Sequence, residues 1–204
     1  MRVPHLLYKK LIYKKLIITD TTHPYVIGTQ IHYDSTSIAA TKVEVIITDA
    51  GDWLFDAKGT LKWAVTESWT EIPAEKRDTR AVIQAAADAY CDIFNDPSVK
   101  VPWGTPCARL EGGSYTGSGK PTDKCDVGSM SLFPFRNNER DERREADEKT
   151  VPSGVKITNR RYVIDEVLGT VDVFNTFASN LPDTHEFRIE GGKIRYVHTM
   201  TVMN

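Results

Sequence analysis

Four runs toward the C-terminus, Ile157–Val167, Thr170–Phe177, His185–Glu190 and Lys193–Val202, are rich in β-branched and aromatic residues and predict strands. They break at Leu168-Gly169 and at Gly191-Gly192, and the second break is a two-residue hairpin signal. Upstream the period changes to that of a helix. From Asp78 to Phe94 the apolar residues Val82, Ala86, Ala89 and Ile93 recur at helical spacing, Asp78 is placed to cap the first turn, and Asn95-Asp96-Pro97 stops the run. His23–Ile31 and Thr41–Asp49 are two more β-rich runs joined through Asp34-Ser35-Thr36-Ser37. Trp53, Leu54 and Phe55 follow as expected core anchors. Residues 101–128 read as loop, and 129–150, mostly charged with both signs mixed, as a solvated insertion.

One helix followed by a meander predicts an α+β fold, a curved antiparallel sheet packed on its N-terminal helix. Thr22-His23-Pro24-Tyr25-Val26-Ile27 echoes Thr184-His185-Glu186-Phe187-Arg188-Ile189, and Lys42–Thr48 echoes Lys193–Thr199, which suggests a preceding partial second copy. The organisation expected is an atypical segment 1–17, a partial half over 18–70, and the main domain over 71–204 carrying the insertion 129–150.

Composition narrows the function classes. A hydrophobic content of 40% in 204 residues suffices for a core, while a net charge of −2 leaves no basic stripe for a phosphate backbone, so nucleic acid is not an expected partner. No window approaches the roughly 20 apolar residues that span a bilayer, so neither is a membrane. Lysine pairs interrupt the apolar N-terminus before a signal-peptide core forms, which makes a cytosolic location the default. Cys91 lies in the helical run and reads as a buried apolar residue. Cys107 and Cys125 flank a loop rich in Gly, Ser and Thr. They either bridge, stabilising it by about 3 kcal/mol, or remain free thiols.

The alanine-rich helix with the hairpin Gly191-Gly192-Lys193-Ile194-Arg195-Tyr196-Val197-His198-Thr199 resembles the NTF2-like (SnoaL-like) superfamily, which includes ketosteroid isomerase, scytalone dehydratase and SnoaL-type cyclases. Gly51–Phe55, Pro102–Gly113, Asn159–Glu166 and His185–Arg188 more closely resemble a family of mostly secreted fungal proteins, the DUF8021 type, over roughly residues 18–203. The resemblance implies an NTF2-like cone whose apolar sheet face lines a cavity. It sets secretion against the cytosolic default, and the segment 129–150 is extra relative to the family pattern.

With a two-residue turn, Ile189 pairs with Ile194, Phe187 with Tyr196 and His185 with His198, placing these six on one face. Paired imidazoles in an apolar cavity suit proton transfer, so His185 and His198 are the candidate acid/base pair and Tyr196 the group that orients substrate. Asp165 and Asp88 are the candidate carboxylates, and Phe187, Ile189, Ile194, Asp88, Tyr90 and Trp103 the candidate pocket. The structural alternatives are histidines serving as core residues, Asp165 and Glu166 pairing with Arg160 or Arg161, and Arg109 with Glu111 tying down a loop. Three converging metal ligands are not evident, and there is neither a P-loop nor a nucleophile elbow. The expectation is a small-molecule protein without cofactor or metal, either a lyase, isomerase or cyclase or a non-catalytic ligand- or host-binding protein. Assembly as a homodimer stays open.

Overall fold

The computed structural model describes residues 11–34, 36, 39–125 and 154–203. Residues 1–10 of the atypical segment and all of 129–150 lie outside them. The first three strands, β1 (Leu11–Ile18), β2 (Tyr25–Tyr33) and β3 (Ala40–Thr48), form an antiparallel sheet in the order β1-β2-β3. Helix α1 (Ala57–Ala64), a short 3-10 turn at Ala74–Lys76 and helix α2 (Arg80–Asp92) follow. The remaining strands are β4 (Trp103–Glu111), β5 (Ser114–Tyr115), β6 (Ile157–Asp165), β7 (Thr170–Phe177), β8 (Leu181–Glu190) and β9 (Lys193–Thr201). They form a six-stranded sheet, β5-β4-β9-β8-β7-β6, in which β4 runs parallel to β9 and the other pairs are antiparallel.

This architecture corrects the expected α+β, NTF2-like cone. Nine strands against two α-helices among the described residues make the chain mostly β, and the larger sheet is open and mixed. The region read as a partial second copy is part of a separate three-stranded sheet that also recruits β1 from the atypical segment. Strand β4 was hidden by Gly104 and Pro106, which break any alternation. Its pairing with β9 skips a register between Trp103 and Ala108, where the proline lies. Its partner is also far away in sequence, so no local signal announces it.

Helix α2 covers one face of the large sheet. Ile83, Ala86, Ala87, Tyr90 and Cys91 are buried against Val171, Val173, Phe187, Ile189, Ile194 and Val197, a stripe rotated from the expected one, since Val82 is 41% exposed. The N-cap is Thr79, whose Oγ1 accepts from Val82 N, while Asp78 accepts from Gly192 N at 2.9 Å and pins the β8–β9 turn to the helix. The other face of the large sheet meets the three-stranded sheet around Val26, Ile46, Ala57, Phe174 and Met200. Cys107 and Cys125 form a disulfide that closes the loop after β4.

Gly191 and Gly192 both take positive φ, +58° and +70°, as a type I′ hairpin turn requires. Glu190 then faces Lys193, and Ile189 faces Ile194, as expected. Beyond them the ladder slips by one residue. Arg195 is a bulge, so Arg188 faces Tyr196, Phe187 faces Val197, Glu186 faces His198 and His185 faces Thr199. The expected His185–His198 pair is therefore not formed. Because side chains alternate between faces, one extra residue moves Tyr196 and His198 to the opposite side of the sheet from His185.

Candidate functional site

Strand β8 alternates Asp183 and His185 onto the face that carries α2, and both are buried. His185 Nδ1 lies 2.8 Å from Asp183 Oδ2, a charge contact between two desolvated groups, and 3.4 Å from the Asn175 amide nitrogen. Asp183 is held in turn by Thr201, whose hydroxyl donates to Oδ1 at 2.6 Å. The Tyr90 ring of α2 lies 5.0 Å from the imidazole, and Phe187 stacks behind it. The nitrogen across the ring, Nε2, has no hydrogen-bond partner among the described residues.

His185 and Asp183 border a cavity of about 40 Å³ whose other walls are mostly apolar, among them Trp53, Phe94, Phe177 and Met203. Glu111 and Thr199 add polar groups to its lining. Glu111 pairs with Arg109 at 3.1 Å, with both side chains buried, and the Thr199 hydroxyl has no partner among the described residues. Pockets for drug-sized ligands run to about 300–1,000 Å³, so this cavity in its present form admits only a compact group. A wider groove of about 370 Å³ opens where β3 meets β7, lined by Glu44, Arg161, Thr176 and Asn180 among others. Its lining mixes polar and apolar side chains and holds no histidine.

Burial is the largest single influence on the His185 pKa and pulls it down, but the charge of Asp183, the contact with it and the charges of Glu111 and Asp172 together outweigh burial, and the net shift is upward. The imidazolium form is thus favoured more than in a free imidazole. For Tyr90, burial first and then the Glu111 charge push the hydroxyl upward, against the opposing pull of Arg109, and keep it neutral.

The second histidine is placed differently. His198 is buried on the far face, with Nε2 2.5 Å from Glu67 Oε2 and Nδ1 2.7 Å from Lys15 Nζ. A lysine ammonium can only donate, so Nδ1 accepts and Nε2–H points at Glu67. Lys15 also binds Glu186 at 2.6 Å, and Trp69 meets His198 edge-on while stacking on Tyr196. Both imidazole nitrogens are occupied, and the cluster joins β1 to β8 and β9.

The other expected residues disperse. Phe187, Ile189 and Ile194 are fully buried in the core under α2 rather than on the cavity wall, and Trp103 is edge-on to Tyr90. Asp88 accepts from Tyr162 and Arg160 on the outer side of α2. The Asp165 carboxylate accepts from Val167 N and Leu168 N, closing the β6–β7 turn, and Glu166 accepts from Arg80 N rather than meeting an arginine of its own strand. Of the expected catalytic set, only His185 reaches the cavity, joined there by Tyr90 from the expected pocket. Asp183, Thr199 and Thr201 escaped the sequence reading. The usable signal was Asp183-Thr184-His185, two chemistry-bearing residues at strand spacing, but the strand was expected to begin only at His185. Glu111, read as a loop tie, does pair with Arg109, but on a strand beside the cavity.

A family model described as a domain of unknown function (DUF8021) matches residues 76–201. The match takes in α2, the six-stranded sheet and the Asp183–His185 pair. No curated protein and no solved structure matches the chain.

Proposed function

On the premise that the chain belongs to the DUF8021 family, we propose that it binds a small, largely apolar molecule in the cavity beside α2 and exchanges a proton with it through His185. The observation that carries this reading is the buried Asp183–His185 pair at an apolar cavity wall, with Nε2 unpartnered. Asp183 orients the imidazole and favours its cation, the Thr199 hydroxyl offers a hydrogen bond to a polar group of the ligand, and the aromatic walls exclude water. These are the requirements of a cofactor-free lyase or isomerase. Paired histidines are not part of the reading, because His198 faces away with both nitrogens engaged.

A non-catalytic ligand-binding role is the second reading, favoured by the small volume of the cavity. One experiment separates them. Histidine NMR signals are followed while compact aromatic and polyketide-like molecules are titrated in. Binding is expected to move the His185 resonances and leave those of His198 in place, and no response of His185 to any of them overturns both readings. If a ligand binds and is turned over, His185→Gln should retain binding and abolish turnover. Turnover that survives in His185→Gln excludes the catalytic reading.

A further inference from the structure

Most of the cavity beside α2 is built by the large sheet and the helix, but one side comes from elsewhere. On the sheet, Glu111 of β4 faces Thr199 of β9, and Thr199 faces His185 of β8, so a carboxylate, a hydroxyl and an imidazole stand in one row along the lining. At the usual strand spacing that row is about 10 Å long. A chamber of about 40 Å³ cannot hold a molecule that touches both ends of it. The remaining side is Trp53, from the segment 49–55 between β3 and α1, with Met203 from the tail after β9.

Hydrogen bonds tie this side down. Trp53 N donates to Thr201 O at 3.2 Å, and Gly113 N donates to Leu54 O at 2.9 Å. The Asp52 carboxylate accepts from Asp49 N at 2.9 Å and from Met203 N at 2.7 Å, so one side chain both shapes the turn and holds the tail to it. The seat fits closely: a Cβ at Gly112 would lie 2.4 Å from Leu54 O and 2.6 Å from Trp53 O. Positive φ values flank the tryptophan, +107° at Gly51 and +47° at Leu54. Glycine adopts the first freely, whereas leucine is strained in the second. The closed position of Trp53 is therefore held against a backbone preference that favours its release.

We propose that residues 49–55 and the tail 202–203 form a gate over the cavity, latched by Asp52, which swings outward as a unit to admit ligand. The proposal rests on the ligand-binding reading given above. It accounts for a polar row longer than the closed chamber, because the whole row becomes accessible only when the gate is open. Local openings of this kind need less free energy than global unfolding, and amide hydrogen exchange detects them.

Exchange of the full chain, followed by NMR without ligand, tests the gate. Once intrinsic rates are divided out, the amides of Trp53, Gly113 and Met203 should share one opening equilibrium, at least about tenfold more open than that of Val173 and Phe187 in the sheet. Asp52→Ala should raise exchange at Trp53 and Gly113 about tenfold and leave Val173 and Phe187 unchanged; Met203 loses its acceptor in this variant, so the other two amides are the informative ones. Leu54→Gly removes the strain and should lower exchange at all three about threefold. Unrelated openings of the three amides, opening only together with the sheet, or no response to a folded Asp52→Ala overturns the proposal. If Asp52→Ala proves misfolded by circular dichroism, Leu54→Gly decides alone. Naphthol, too large for the closed chamber, supplies the ligand arm. Its association, read from the His185 resonances, should be fastest in Asp52→Ala and slowest in Leu54→Gly, and equal or reversed rates overturn the gate. Silence of His185 in all three proteins, with the amides behaving as expected, supports the gate and overturns the ligand reading of the site, so the two fail separately.

Discussion

Strands β8 and β9 each carry a histidine, and the two faces of this strand pair treat them in opposite ways. On the α2 side His185 has one nitrogen against Asp183 and the other without a partner at a cavity. On the far side His198 has both nitrogens taken by groups brought from β1 and from the segment between α1 and α2. Both are buried, and both touch a carboxylate and an aromatic ring. The difference is in what remains unsatisfied. A buried histidine with every donor and acceptor matched fixes architecture, whereas one with a spare nitrogen in an apolar chamber can act on something else.

The severest way to break the contrast is to insert one alanine between Val197 and His198. His198 through Thr201 would then have to exchange faces, driving His198 under α2 and taking the Thr201 hydroxyl away from Asp183. The expected outcome is loss of the cooperative fold, read as disappearance of the thermal transition. Next in size is Asp183→Ala, which leaves a buried imidazole without its counter-charge and should cost about 3–5 kcal/mol in denaturant unfolding. A loss below about 1 kcal/mol would mean that the pair is uncharged or solvated. The smallest effect sharpens the contrast through pH. His185 has a raised pKa in the folded protein, so the folded state holds the proton more tightly than the unfolded chain does. The stability this supplies is complete below the unfolded value near 6.5 and is lost as pH rises through the folded value, with a slope of at most about 1.4 kcal/mol per pH unit. Unfolding free energies measured from pH 6 upward should contain that component, and His185→Gln should remove it.

What could be read from the sequence was what is decided locally. The alanine-rich helix, its stop at Asn95-Asp96-Pro97 and the Gly191-Gly192 turn rest on spacing and backbone preference within a few residues, and all three are present. The partner of β4 is set at long range, and β1, although its partner is the next strand, has no clean alternation to announce it. The bulge at Arg195 is the instructive failure. An arginine between Ile194 and Tyr196 fits a regular solvent-facing position, and nothing nearby marks it as the surplus residue. It is identified only once Arg188, buried on the same side as Tyr196, is seen donating to the carbonyls of Thr70 and Leu168. The site was half legible for the same reason: His185 was found by residue type, while Asp183 and Glu111 belong to it through folding.

Where the family match ends also bears on portability. Residues 76–201 contain the disulfide, α2 and the Asp183–His185 pair, yet Lys15 and Glu67, which occupy both nitrogens of His198, and Trp53 and Met203, which wall the cavity, lie outside it. The matched stretch thus holds the Asp183–His185 pair and most of the cavity lining without the residues that close its sides. A transplant that carried only those residues into another scaffold would bring an open-sided chamber and a histidine with both hands empty.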